Sequence, residues 1–113
     1  MAYVKVDDRL PLHPKMLKAL TIEPLAFGAY VAGLCHSNLH RTDGFIPTLA
    51  LNSFIHVKQR NVVKALTESC LWHATEGGYV IHDYLEHQAS SDQILSKLRA
   101  DSKRKKNGSR AEA

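Results

Sequence analysis

The sequence has no apolar run long enough to cross a bilayer. Its longest, Leu25 to Cys35, is interrupted by Gly28 and Gly33, whereas a spanning helix needs about 20 residues. The first residues carry Lys5, Asp7 and Asp8 where a secretory leader would be apolar, so no leader and no membrane partner are expected. Two cysteines do not make a disulfide framework. Phosphate loop, nucleophile elbow and paired-carboxylate signatures are all missing, so the chain is not expected to be an enzyme. Residence in the cytoplasm, that of the host cell if the chain is phage-encoded, is the simplest expectation.

What is present suits one small domain: 113 residues, 44% hydrophobic and 23% charged. The net charge of +4 is uneven. Residues 97–113 hold seven basic and two acidic side chains, which leaves eight basic and nine acidic over residues 1–96. The basic character belongs to the tail, and a nucleic-acid face on the body has to come from local clustering.

Pro14 fits the first turn of a short helix through Lys15, Met16, Leu17 and Leu20, and Thr21 or Glu23 marks the next start. Leu25, Ala29, Ala32, Cys35 and Leu39 recur every three to four residues, so 24–40 reads as the longest, central helix. Arg41-Thr42-Asp43-Gly44 turns the chain into a minimal strand at Phe45-Ile46. A short helix through Leu49, Leu51 and Phe54 follows. A further helix over 57–69 has Val62, Ala65, Leu66 and Ser69 on its inner face. Leu71–Thr75 and Tyr79–His82, joined by Glu76-Gly77-Gly78, read as a hairpin, because glycine permits the positive φ of a tight turn. Trp72 and Tyr79 are expected to face each other across it. Ser90 or Ser91 caps a last helix with Asp92 in its first turn and an apolar stripe of Ile94, Leu95 and Leu98. The expected organisation is a domain over 1–90, a C-terminal helix over 91–102 and a basic, disordered tail over 103–113.

This order makes the expected fold class mainly α with a small β-hairpin, a winged helix-turn-helix. In that arrangement the third helix of the unit lies in the major groove of double-stranded DNA. Here that helix carries Lys58, Gln59, Arg60, Asn61 and Lys64 on its leading end or outer side. Such side chains read G and A edges and pair with phosphates. A solvated helix face is the plainer alternative. The hairpin tip has one carboxylate and no cation, so it reads as structural. Lys103, Arg104, Lys105 and Lys106 in the tail can supply non-specific attraction to phosphate.

Asp8, Leu12-His13-Pro14-Lys15, Thr42-Asp43-Gly44-Phe45-Ile46-Pro47, Leu71-Trp72 and Gly78-Tyr79-Val80-Ile81-His82-Asp83-Tyr84-Leu85 together carry a resemblance. Over roughly residues 5–90 the chain resembles the N-terminal winged-helix segment of actinobacterial phage and prophage replication-initiator, or replisome-organiser, proteins. The resemblance implies a phage-encoded DNA-binding module in replication or regulation. Similar proteins carry Gly where this chain has Cys70, at a position suited to a left-handed helix end. Many of them also continue into a longer C-terminal region.

Cys35, His40, Cys70 and His73 can be written as a zinc set, but Cys35 and His40 lie about 140° apart around a helix. Cysteines packed as small hydrophobes are expected instead, with no metal and no cofactor. His82 and Asp83, adjacent on a strand, are expected to point to opposite faces as an end-of-strand hydrogen-bonding pair. Two functional readings remain: a double-stranded DNA binder, and a protein–protein adaptor that grips a host protein. A homodimer through the last helix suits both.

Overall fold

The computed structural model describes residues 3–88 together with Gln93, Leu95, Ser96 and Arg99. After a 3-10 turn at Leu10–Leu12, Pro14 opens helix α1 (Pro14–Ile22), where its missing N–H costs nothing. The His13 ring caps α1, its Nδ1 accepting the Lys15 N–H at 3.1 Å. Met16 and Ala19 are the fully buried residues of α1. Helix α2 (Ala26–His40) leads to strand β1 (Phe45–Pro47). A 3-10 turn (Thr48–Ala50) then runs into the short helix α3 (Leu51–Phe54). Helix α4 (Gln59–Glu68), strands β2 (Trp72–Thr75) and β3 (Gly78–Ile81), and a single helical turn α5 (Tyr84–His87) complete the order. The chain is α+β. No single helix among the described residues is long and apolar enough to cross a membrane.

The three strands form one antiparallel sheet in the order β1-β3-β2. Ile46 pairs with Tyr79 and Trp72 with Ile81. Because side chains alternate along a strand, these four share the face that meets the helices; Ile46, Trp72 and Ile81 are buried and Tyr79 packs against them. Trp72 and Tyr79 are diagonal rather than directly opposite, with ring centroids 5.7 Å apart, since the cross-strand partner of Tyr79 is Ala74. The two glycines of the hairpin do different jobs. Gly77 takes the positive φ of the turn, at 81°. Gly78 is a strand residue between Pro47 and Thr75, where a Cβ would stand 2.1 Å from the Ile46 carbonyl oxygen.

Helix α2 is turned relative to the expected stripe. Its buried residues are Ala26, Ala29, Gly33, Leu34, Ser37 and Asn38, while Leu25, Cys35 and Leu39 are exposed. The inner face is built from small and polar residues for specific reasons. A Cβ on Gly33 would come within 3.0 Å of the Trp72 ring and 3.1 Å of Ile46. Ser37 is a polar hub. Its Oγ accepts the Gly44 N–H at 2.6 Å and lies 2.7 Å from Thr42 Oγ1, which itself donates to the Phe45 carbonyl at 2.5 Å. With the Thr42 hydrogen committed, Ser37 is the donor in that pair. Arg41, Asp43 and Gly44 all take positive φ in this turn. Hydrogen bonds made within the fold thus account for Thr42, Gly44 and Phe45 of the Thr42–Pro47 motif.

At the other end of the fold, the Gln88 side chain pairs with the Lys5 backbone in both directions. It accepts the Lys5 N–H at 2.9 Å and donates to the Lys5 carbonyl at 2.5 Å. This double bond ties the N-terminal arm to the chain leaving α5. Gln93, Leu95, Ser96 and Arg99 have helical backbone and are exposed. The expected cap at Ser90 or Ser91 with Asp92, the stripe residues Ile94 and Leu98, and the basic tail lie outside the described residues.

Candidate nucleic-acid interface

Helix α4 is held from several sides, packing against α1, α2 and β2. Val62, Ala65, Leu66 and Ser69 are buried there, as the spacing requires. Its C-terminus closes in a Schellman arrangement: Leu71 N–H reaches the Leu66 carbonyl at 3.0 Å and Cys70 N–H the Thr67 carbonyl at 3.1 Å. Cys70 adopts the left-handed conformation this requires, with φ 65°. With its inner face and end fixed, α4 has one surface left for contact.

That surface begins at the α3–α4 turn. Ile55 is buried, His56 and Val57 are exposed, and Lys58 takes φ 52° just before the helix. Lys58, Arg60, Asn61 and Lys64 are all exposed. None of the three cations is ion-paired with a carboxylate among the described residues. Lys58 and Arg60 stand at the end of α4 where the helix dipole is already positive, so their charge adds to it, and Lys64 extends the exposed cations to the middle of the helix. Gln59 behaves differently. It is half-buried, and its Nε2 donates to Asn52 Oδ1 at 2.9 Å and less closely to the Ile55 carbonyl at 3.4 Å. Its amide staples α3 to α4. Lys103, Arg104, Lys105 and Lys106 lie outside the described residues.

The hairpin is pinned rather than projecting. The Gly77 carbonyl at its tip accepts the Thr48 N–H at 3.0 Å and the Thr48 hydroxyl at 3.2 Å. Glu76 is the tip's charged residue, and it brings no cation to meet phosphate.

The outer side of the hairpin holds a chain of polar groups that spacing did not reveal. His73 Nε2 and His82 Nδ1 are 2.8 Å apart, and His82 Nε2 is 3.0 Å from Asp83 Oδ2. His82 and Asp83 do meet as an end-of-strand pair, but not from opposite faces: Asp83 leaves the strand with φ 53°, and its carboxylate turns back to the histidine. His82 and Asp83 also border an open cleft of about 570 Å³ between the N-terminal arm, α2 and the start of α5. Tyr30 lines this cleft; burial, with the nearby Asp83 charge second, raises its phenol above the ordinary value and keeps it a neutral donor. Tyr84 is likewise raised, chiefly by burial.

On α2, the His36 and His40 rings meet at a tilt with centroids 4.4 Å apart, and His36 also meets Phe54. Partial burial first, and His40 second, hold His36 below its ordinary pKa. Cys35 and Cys70 are exposed, so neither is the packed small hydrophobe expected. Among the described residues no group of three or more His, Cys, Asp or Glu converges on a point, and Cys35, His40, Cys70 and His73 are not brought together.

Comparison with protein-family models, with curated proteins and with solved structures finds no match to this chain.

Proposed function

We propose that the chain is a winged-helix module that binds double-stranded DNA through α4. Helix, strand, two helices and hairpin follow one another in the order of that fold, with β1 added to the hairpin's free side. The observation that carries the reading is the exposed group Lys58, Arg60, Asn61 and Lys64 on the leading end and outer side of α4, whose cations have no ion pair among the described residues. Unpaired cations around a positive helix end suit an anionic polymer, and Asn61 adds a group able to read adenine. The pinned, acidic hairpin tip is poorly suited to DNA contact, so in this reading α4 does the base reading and the tail supplies the non-specific grip. The sequence resemblance to phage replication initiators supports a role in phage replication or regulation, in the cytoplasm of the host. It acts without a catalytic step of its own.

The test is fluorescence anisotropy on duplex DNA across a salt series, for the parent and for a variant with all four residues changed to alanine. Loss of binding by a variant that still folds supports the reading. Undiminished binding rejects it.

One observation favours a second reading, an adaptor that grips a host protein. Leu49 and Val57 are 85% and 60% exposed around the same α3–α4 segment, an apolar presentation that DNA does not require. An alanine variant that loses a protein partner while DNA binding is absent throughout would favour it.

A further inference from the structure

We propose that His73 Nε2 and His82 Nδ1 form an open two-imidazole chelate for a divalent late-transition ion, Ni²⁺ or Cu²⁺, with Asp83 holding His82 in the ligating tautomer. Two ring nitrogens 2.8 Å apart either share a hydrogen or flank a cation. Asp83 decides the state of one of them. Its carboxylate, 3.0 Å from His82 Nε2, takes that N–H and leaves a lone pair on Nδ1. A carboxylate behind a histidine is the usual outer support of a metal-bound imidazole, fixing the ring and raising its basicity. In the neutral pair the shared hydrogen then belongs to His73 Nε2. Binding moves it to Nδ1 of the same ring through water, a tautomer exchange with no change of net charge.

Spacing and donor type together favour copper or nickel. With metal–nitrogen bonds of about 2.0–2.1 Å, donors this close subtend roughly 90° at the metal, whereas a tetrahedral site would hold them about 3.3 Å apart. Right angles at nitrogen donors suit the tetragonal and octahedral ions, and imidazole suits copper and nickel. Each ring must turn a few tens of degrees so that its lone pair meets the ion off the nitrogen–nitrogen line. His73, exposed on β2, has room for that turn. Asp83 cannot join as a third ligand, because His82 meets Asp83 and His73 through opposite ring nitrogens. The remaining positions on the ion stay open to water or to an outside donor. His36 and His40 are the weaker candidate pair. They share a face of α2, but no carboxylate pairs with either ring among the described residues, and His36 is packed against Phe54.

Calorimetric titration of the full chain with Ni²⁺ alone near neutral pH tests this, in the parent and in a His36→Gln/His40→Gln background. One saturable Ni²⁺ per chain in both is expected. On that background His73→Gln should weaken binding at least tenfold, and Asp83→Asn about tenfold, within the 10–100-fold range for a lost outer partner. Broadening of the His73 and His82 ring signals by Ni²⁺ in nuclear magnetic resonance spectra gives a readout independent of affinity. Because His73 is exposed, its variant keeps the fold even if His82→Gln does not. Affinity unchanged by His73→Gln, binding abolished in the His36/His40 background, or broadening of other histidines instead would overturn the proposal.

Discussion

At the scale of single residues, backbone conformation explains more of the sequence than side-chain chemistry does. Cys70 occupies a left-handed helix end at φ 65°, a conformation that costs an L-residue roughly 1–2 kcal/mol and glycine nothing. Glycine's greater freedom in the unfolded chain offsets part of that gain. Cys70→Gly is therefore expected to raise stability by about 0.5–1 kcal/mol, read from the urea midpoint; a lower midpoint would show that the thiol makes a compensating contact. Gly78 is the opposite case, because its φ is ordinary and space is what it lacks. A methyl there meets the Ile46 carbonyl oxygen across the β1–β3 ladder, so Gly78→Ala should cost about 3 kcal/mol or more, by separating the strands. His36 supplies a pH dependence whose sign follows from its lowered pKa. Near and below the ordinary value of 6.5 the unfolded chain binds a proton that the folded site resists. His36 thus contributes full stability above that value and loses it as pH falls toward its lowered folded pKa. Comparing urea midpoints at about pH 7.5 and 5.5 should show a smaller loss for His36→Gln than for the parent.

At the scale of elements, both α4 and α2 were readable as helices, but the inner face of α4 was legible and that of α2 was not, for a physical reason. The inner face of α4 is made of Val62, Ala65, Leu66 and Ser69, whose apolar and small side chains at helical spacing declare themselves. The inner face of α2 uses Gly33, Ser37 and Asn38, which apolar periodicity assigns to solvent. Gly33 is buried because Trp72 needs space, and Ser37 because the following turn needs hydrogen-bond partners. His82 and Asp83 were legible as an end-of-strand pair, but their placement on opposite faces was not correct, because alternation holds only while the strand continues and Asp83 ends it. For the candidate interface, spacing placed Lys58, Arg60, Asn61 and Lys64 outward, and that is where they lie. It could not separate Gln59, whose contact with Asn52 depends on the turn between α3 and α4. This division gives the variants different signatures. Arg60→Ala and Asn61→Ala should change stability by no more than about 0.5 kcal/mol, yet cost roughly 1–3 kcal/mol of binding on a preferred duplex and less on random DNA. Lys58→Ala and Lys64→Ala should weaken both duplexes alike, as phosphate contacts do. Competition binding at one salt concentration reads all four; equal losses on both duplexes at Arg60 and Asn61 would remove base reading from α4.

At the scale of the whole molecule, the two ends of the described core are joined ahead of the basic segment. The Gln88 side chain bonds the Lys5 backbone in both directions, joining the two ends of the domain. Beyond it Leu95 is 37% exposed, so it contributes little to a core that already contains Met16, Trp72, Ile81 and Tyr84. Fold and charge are therefore separable. Residues 1–96 carry a slight excess of acid, and residues 97–113 carry seven of the fifteen cations in the chain. A chain ending at Ser96 should keep its unfolding midpoint to within about 1 kcal/mol of stability and keep any preference set by α4. It should bind every duplex more weakly at low salt. The slope of log K against log salt should become shallower by about 0.9 for each phosphate contact the tail had made. Circular dichroism during urea titration, combined with anisotropy over the salt series, separates these effects. An unchanged slope would mean that the tail does not touch DNA and that α4 must supply the whole electrostatic term. A shallower slope with undiminished discrimination between duplexes would assign affinity to the tail and selectivity to α4.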